Sequence, residues 1–160
     1  MSEVNIEELQ IFCQKINNIL TSKGIINAEI MNGSQGIDPQ EVYTRYERGY
    51  QAWLADNYIV AAEEFSWLTL HCPLEPLFHL ALAGVMQMRQ EFTLALSAYA
   101  CALLLEAQDP EPVYQMAVCL QAMGNGADAR EALQTAIEMS YFNPEYAPTA
   151  EKANQLLHSI

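Results

Sequence analysis

The run Tyr46-Glu-Arg-Gly-Tyr50-Gln-Ala-Trp53-Leu-Ala-Asp-Asn57-Tyr58-Ile-Val-Ala61-Ala-Glu-Glu-Phe65 decides the fold. With Tyr43 upstream, Tyr46, Tyr50 and Trp53 are spaced three, four and three, which stacks them on one helix face. Ala-Asp-Asn at 55–57 is a turn. Tyr58, Ala61 and Phe65 then begin a second helical pattern. Two helices joined by a short turn make a hairpin.

Working outward, the hairpin recurs. Tyr58, Phe92 and Gly126 are 34 apart, as are Ala61, Ala95 and Ala129. Phe65, Tyr99 and Leu133 keep the register, then Leu68, Ala102 and Ala136, and upstream Gly49, Ala83 and Ala117. Small residues at Gly49, Ala83 and Ala117 face Ala61, Ala95 and Ala129 where paired helices cross; only small side chains let the backbones come that close. Phe65 and Tyr99 fill the wider gap between hairpins. Gln-Glu at 90–91 and Gly-Asn-Gly at 124–126 supply the later turns. This is the tetratricopeptide pattern. The third copy departs from it, with Gly126 where an aromatic is usual and Leu133 at the large position.

The expected fold is all-α: a solenoid of three hairpins with an amino-terminal amphipathic helix and a carboxy-terminal capping helix. The zones are 1–37, 38–141 and 142–160, with repeats over about 42–75, 76–109 and 110–143. Ile6, Leu9, Phe12, Cys13, Ile16, Ile19 and Leu20 make the first helix's apolar stripe. Asn5 with Glu8, or Ser2, caps its start, and Gly24 is the stop. Asn32-Gly33-Ser34-Gln35-Gly36 reads as a hinge. Asp38 and Pro39 open the array as cap and first helical residue. Ala150, Ala153, Leu156 and Leu157 give the last helix an apolar face to shield the final repeat.

Composition bounds the function. The chain has 160 residues, 51% of them hydrophobic, and a net charge of −13. That excludes disorder and disfavours nucleic acid or an anionic membrane surface as main partner. The longest apolar run, Leu77 to Met86, is ten residues long and contains His79, too short for a span. The acidic start, Met-Ser-Glu-Val-Asn-Ile-Glu-Glu, is unlike a secretory signal. Cys13, Cys72, Cys101 and Cys119 contain no Cys-x-x-Cys pair and are expected as free thiols in a reducing cytosol.

Motifs of catalysis are absent. There is no phosphate loop, Gly-x-Ser-x-Gly or His-Glu-x-x-His. His71, His79 and His158 are dispersed, and no second pair completes a metal site at His71-Cys72. Glu63-Glu64 reads as solvated outer surface. No enzyme activity, metal or cofactor is expected.

The informative feature is the inner face. The first helix of each tetratricopeptide hairpin lines the concave side. The repeat columns place Tyr43, Tyr46, Tyr50, Trp53 and Leu54 there, then Leu77, Leu80, Gln87 and Met88, then Tyr114, Val118, Gln121 and Ala122. Tyr and Trp are large, stiff and able to hydrogen-bond, which suits gripping a peptide; the competing reading is that the stripe packs against the amino-terminal helix or simply forms core. Arg45, Arg48, Arg89 and Arg130 all lie off these positions, so no carboxylate clamp is expected.

On the run 46–65, with Leu80-Ala-Leu-Ala-Gly-Val-Met-Gln87 and Ala117-Val-Cys-Leu-Gln121, the sequence resembles the class II chaperones of bacterial type III secretion systems, the SycD/LcrH type. The resemblance covers almost the whole chain. It implies a bacterial cytoplasmic chaperone that holds hydrophobic, pore-forming translocators soluble before export. Their client segment, typically Pro-x-Leu-x-x-Pro, lies extended in the concave groove. By position, Tyr43, Tyr46, Tyr50, Trp53, Leu80, Gln87, Tyr114 and Gln121 are the expected peptide contacts. The resemblance also implies dimerisation through the first helix, at Ile6, Leu9, Phe12, Ile16 and Ile19. The residues themselves leave self-association and packing back on the array both open. A general tetratricopeptide scaffold joining cytosolic proteins is the alternative function.

Overall fold

The computed structural model describes residues 5–25 and 36–160. These form eight α-helices, one 3-10 turn and no strand. Helix α1 spans Ile6–Lys23. Three hairpins follow: α2 (Pro39–Leu54) with α3 (Tyr58–His71), α4 (Pro76–Met88) with α5 (Phe92–Leu105), and α6 (Glu111–Ala122) with α7 (Gly126–Ser140). A 3-10 turn, Pro144–Tyr146, leads into α8, Ala147–Ser159. The expected hinge at 32–36 lies outside the described residues except for Gly36, whose φ is +75°.

Local chemistry sets the helix starts. Asn5 Oδ1 accepts from the Glu8 N–H at 3.0 Å, capping α1. Asp38 Oδ1 accepts from the Gln40 N–H, and Pro39 takes the first position of α2. The hairpin turns repeat to the residue. Asp56, Gln90 and Gly124, 34 apart, all have left-handed backbone at φ 60°, 60° and 81°. The next N–H then reaches back over each helix end: Asn57 to Ala52 at 2.8 Å, Glu91 to Met86 at 2.9 Å, Asn125 to Leu120 at 2.9 Å. This 6→1 bond closes each helix in the same way.

The small columns sit where the helices cross. Ala61, Ala83, Ala95, Ala117 and Ala129 are all fully buried. A Cβ at Gly49 would stand 2.6 Å from the Phe65 ring, so that crossing admits only glycine. Phe65, Tyr99 and Leu133 occupy the large column, all buried. The apolar interior divides in two. One cluster joins α1 with the first two repeats; the other joins the third repeat to α8 through Leu133, Ala136 and Ala153.

One sequence expectation is corrected. Glu63 is exposed, but Glu64 is 5% exposed and lies against α2, paired with Arg45 at 3.5 Å and Arg48 at 3.2 Å. Glu64 precedes Phe65 on the α3 face that crosses Gly49. Its Cβ lies 3.1 Å from where a Gly49 Cβ would be.

Candidate functional site

Helices α2, α4 and α6 line the concave face, and α1 lies across it. The amino-terminal end of α1 meets the third repeat and its carboxy-terminal end meets the first two. Leu9, Phe12, Cys13, Ile16 and Leu20 are buried there. Spaced three or four apart, they form the inward stripe of an amphipathic helix.

The aromatic column is brought together beneath this helix. Tyr46 is 1% exposed and stacks on Tyr50, with ring centroids 6.2 Å apart and planes 5° apart. Phe65 and Phe78 tilt against the other sides of Tyr46. Trp53 is buried against Phe65, and a Cβ at Gly84 would stand 2.5 Å from its indole. Leu80, Gln87 and Tyr114 are buried; Tyr50 and Gln121 are half-buried; Tyr43 is exposed. Seven of the eight expected contacts thus lie wholly or partly inside the array, and Tyr43 stands at its edge.

Three polar latches hold α1 on this face. At its start, Glu8 Oε1 accepts from Gln115 Nε2 at 2.8 Å and from Lys152 Nζ at 3.5 Å. In the middle, the Tyr46 hydroxyl donates to Asn17 Oδ1 at 2.9 Å. At its end, Lys23 pairs with the buried Glu75 that precedes α4.

The first latch belongs to a buried chain of hydrogen bonds. The Tyr99 hydroxyl donates to Gln87 Oε1 at 2.7 Å, and Gln87 Nε2 donates to Gln115 Oε1 at 3.1 Å. Gln115 Nε2 also reaches Glu111 Oε1 at 3.2 Å. Glu111 further accepts from Lys152 at 2.6 Å and Thr149 at 3.2 Å, and Lys152 lies 4.5 Å from the Tyr114 ring centre. Burial pushes the phenols of Tyr46, Tyr99 and Tyr114 upward, and neighbouring acids add to this at Tyr114. They are therefore neutral donors. Burial also pushes the Cys13 thiol up to about 12.

Sequence reasoning found Gln87 but not Gln115, Glu111, Lys152 or Tyr99's polar role. Gln115 takes the column that holds Glu47 and Ala81, so no repeat signal marks it. Of the residues expected at a dimer interface, Leu9, Phe12 and Ile16 are buried within the chain. Ile6 and Ile19 remain 53% and 50% exposed. Pairing of two copies through the buried three requires α1 to leave this face.

Among the described residues no group of His, Cys, Asp and Glu could hold a metal ion, and no helix is long and apolar enough to cross a membrane. All four cysteines are free thiols.

No family model and no curated protein matches this chain. Solved structures do. A type III secretion complex from Aeromonas hydrophila superposes with a TM-score of 0.71 at 23% identity, over 91% of this chain and 94% of that one. The Yersinia enterocolitica chaperone SycD, bound to a peptide of the translocator YopD, gives 0.71 at 21% over 78% and 95%. PcrH, bound to the chaperone-binding region of PopD, gives 0.71 at 19% over 78% and 93%; it comes from Pseudomonas aeruginosa. The helical-hairpin solenoid is the fold of these chaperones.

Proposed function

We propose that this chain is a non-enzymatic, cytoplasmic chaperone of a bacterial type III secretion system. It binds hydrophobic translocators through an extended, Pro-x-Leu-x-x-Pro-like segment in the concave groove and keeps them soluble for export. One observation carries this reading: the concave face built from Tyr46, Trp53, Leu80, Gln87 and Tyr114 holds an apolar segment of polypeptide along its length, here the chain's own α1. The shared fold supports it, since SycD and PcrH have been solved with translocator segments bound. The charge of −13 suits a carrier that must remain dispersed with an apolar cargo.

Tyr43, Tyr46, Tyr50, Trp53, Leu80, Gln87, Tyr114 and Gln121 are the client contacts in this reading. Homodimers form through α1 when it is not on the groove.

The test is co-expression with a translocator, followed by titration with the labelled Pro-x-Leu-x-x-Pro peptide. The chaperone should hold the translocator in the soluble fraction. Tyr50→Ala and Trp53→Ala should each weaken peptide binding by roughly 1–3 kcal/mol with helicity retained. An insoluble translocator together with no peptide binding would move the weight to a scaffold joining folded cytosolic proteins.

A further inference from the structure

Resting on that reading, we propose that α1 is a resident pseudo-client: it occupies the client groove of its own chain, and a client binds by exchange with it. Most of the eight expected contacts lie inside the array while α1 is in place. Tyr46, Trp53, Leu80 and Gln87 are all buried with α1 seated. A client that is to touch Tyr46, Trp53 and Gln87 needs α1 to move.

The occupant imitates a ligand in its chemistry. It presents an apolar row, Leu9, Phe12, Ile16 and Leu20, to the groove. Its polar side chains reach both ends of the first repeat and the third: Asn17 to Tyr46, Lys23 to Glu75, Glu8 to Gln115. It is also an incomplete fit. The main-chain carbonyls inside a helix are taken by the helix's own bonds, so α1 contacts the groove through side chains. The Trp53 indole N–H is meanwhile buried without an acceptor, a state buried tryptophans usually avoid. An extended client brings free main-chain carbonyls. At the third repeat it would meet the Gln115 and Lys152 donors that Glu8 now occupies. The favoured client therefore carries an acceptor, an acidic side chain or a free carbonyl, beyond one end of its apolar row.

Exchange sets the apparent affinity, because the client sees only the fraction of molecules whose groove is open. It differs from simple addition, in which a client would enter the cleft of about 290 Å³ left beside α1, lined in part by Ile16, Ile19, Leu77, Leu80, Asp109 and Tyr146.

Cys13 reports which of the two occurs. It lies on the buried face of α1, and its raised pKa keeps it a poor nucleophile there. Cys72 and Cys119 are buried within the array, and Cys101 is exposed. In the full chain carrying Cys101→Ser, maleimide should label Cys13 slowly, and saturating Pro-x-Leu-x-x-Pro peptide should speed this about tenfold or more. Phe12→Ala and the milder Asn17→Ala loosen α1 without touching the array. They should bind the peptide more tightly, by about tenfold and about threefold. Peptide or co-purified translocator bound with Cys13 still protected, and with equal affinity in both variants, overturns the exchange and leaves the chaperone reading standing. Binding by neither wild type nor either variant removes both.

Discussion

Tyr46 and Asn17 stand 29 positions apart and are joined by one hydrogen bond of 2.9 Å. It ties the first repeat to the helix that crosses it. The phenol is buried and its ring is held by Tyr50, Phe65 and Phe78. Tyr46→Phe keeps that packing and removes only the donor. It should lower thermal stability by about 1 kcal/mol, read as a shift in denaturant midpoint with unchanged slope. Tyr46→Ala should lose about 3–5 kcal/mol, because it also empties an aromatic site.

Glu111 is the hub of the polar chain. It is 8% exposed and accepts from Lys152, Gln115 and Thr149. Removing it leaves Thr149 without its acceptor and Lys152 and Gln115 with Glu8 alone. Glu111→Ala should destabilise by about 1–3 kcal/mol. Glu111→Gln keeps one acceptor and should lose less. Equilibrium unfolding of both variants orders them.

The turns offer a stabilising change. Gln90 has the same left-handed backbone that Gly124 adopts in the third repeat. A side chain there costs about 1 kcal/mol. Gln90→Gly should therefore raise the melting temperature, offset in part by the greater freedom of glycine in the unfolded chain. Gly124→Ala should lower the stability by about 1 kcal/mol, and the melting temperature with it. Thermal melts of the two should move in opposite directions.

Asp109 sets a pH signature. Burial, with the charges of Glu111 and Glu106, pushes its carboxyl above the usual range; the Glu111 N–H and Lys15 pull the other way. A carboxyl raised on folding contributes stability below its unfolded pKa and loses it as pH rises through the folded value. At neutral pH the fold therefore holds this charge at a disadvantage. Asp109→Asn keeps an oxygen for the 2.9 Å bond from the Glu111 N–H. The variant should melt higher than wild type at pH 7, and the difference should shrink toward nothing by about pH 4.

Much of the fold was legible because repetition multiplies a weak signal. A small residue at Gly49 says little; Gly49, Ala83 and Ala117 in one register say that three helix pairs cross closely. The tyrosine column was legible for the same reason. The seat of α1 was legible only as one of two alternatives, packing back on the array or pairing with a second copy. An amphipathic stripe requires that a face be buried but does not say against which surface, or in which copy. Seven apolar positions also wrap further round a helix than one groove can cover, so Ile6 and Ile19 ended outside. Glu64 was misread because Glu63 and Glu64 are chemically the same, and only the crossing at Gly49 separates them. Gln115 and Lys152 appear in no repeated column, and their roles exist only once the chain has curved.

A row of hairpins that touch only their neighbours can come apart piece by piece. The crossing of α1 changes that mechanics. By gripping Tyr46, Glu75 and Gln115 at once, it acts as the string of a bow whose arc is the three repeats. The chord of the arc is fixed by the length of one helix, and opening any hairpin strains the others through it. Cutting the string would return to each hairpin the freedom to move apart from the others.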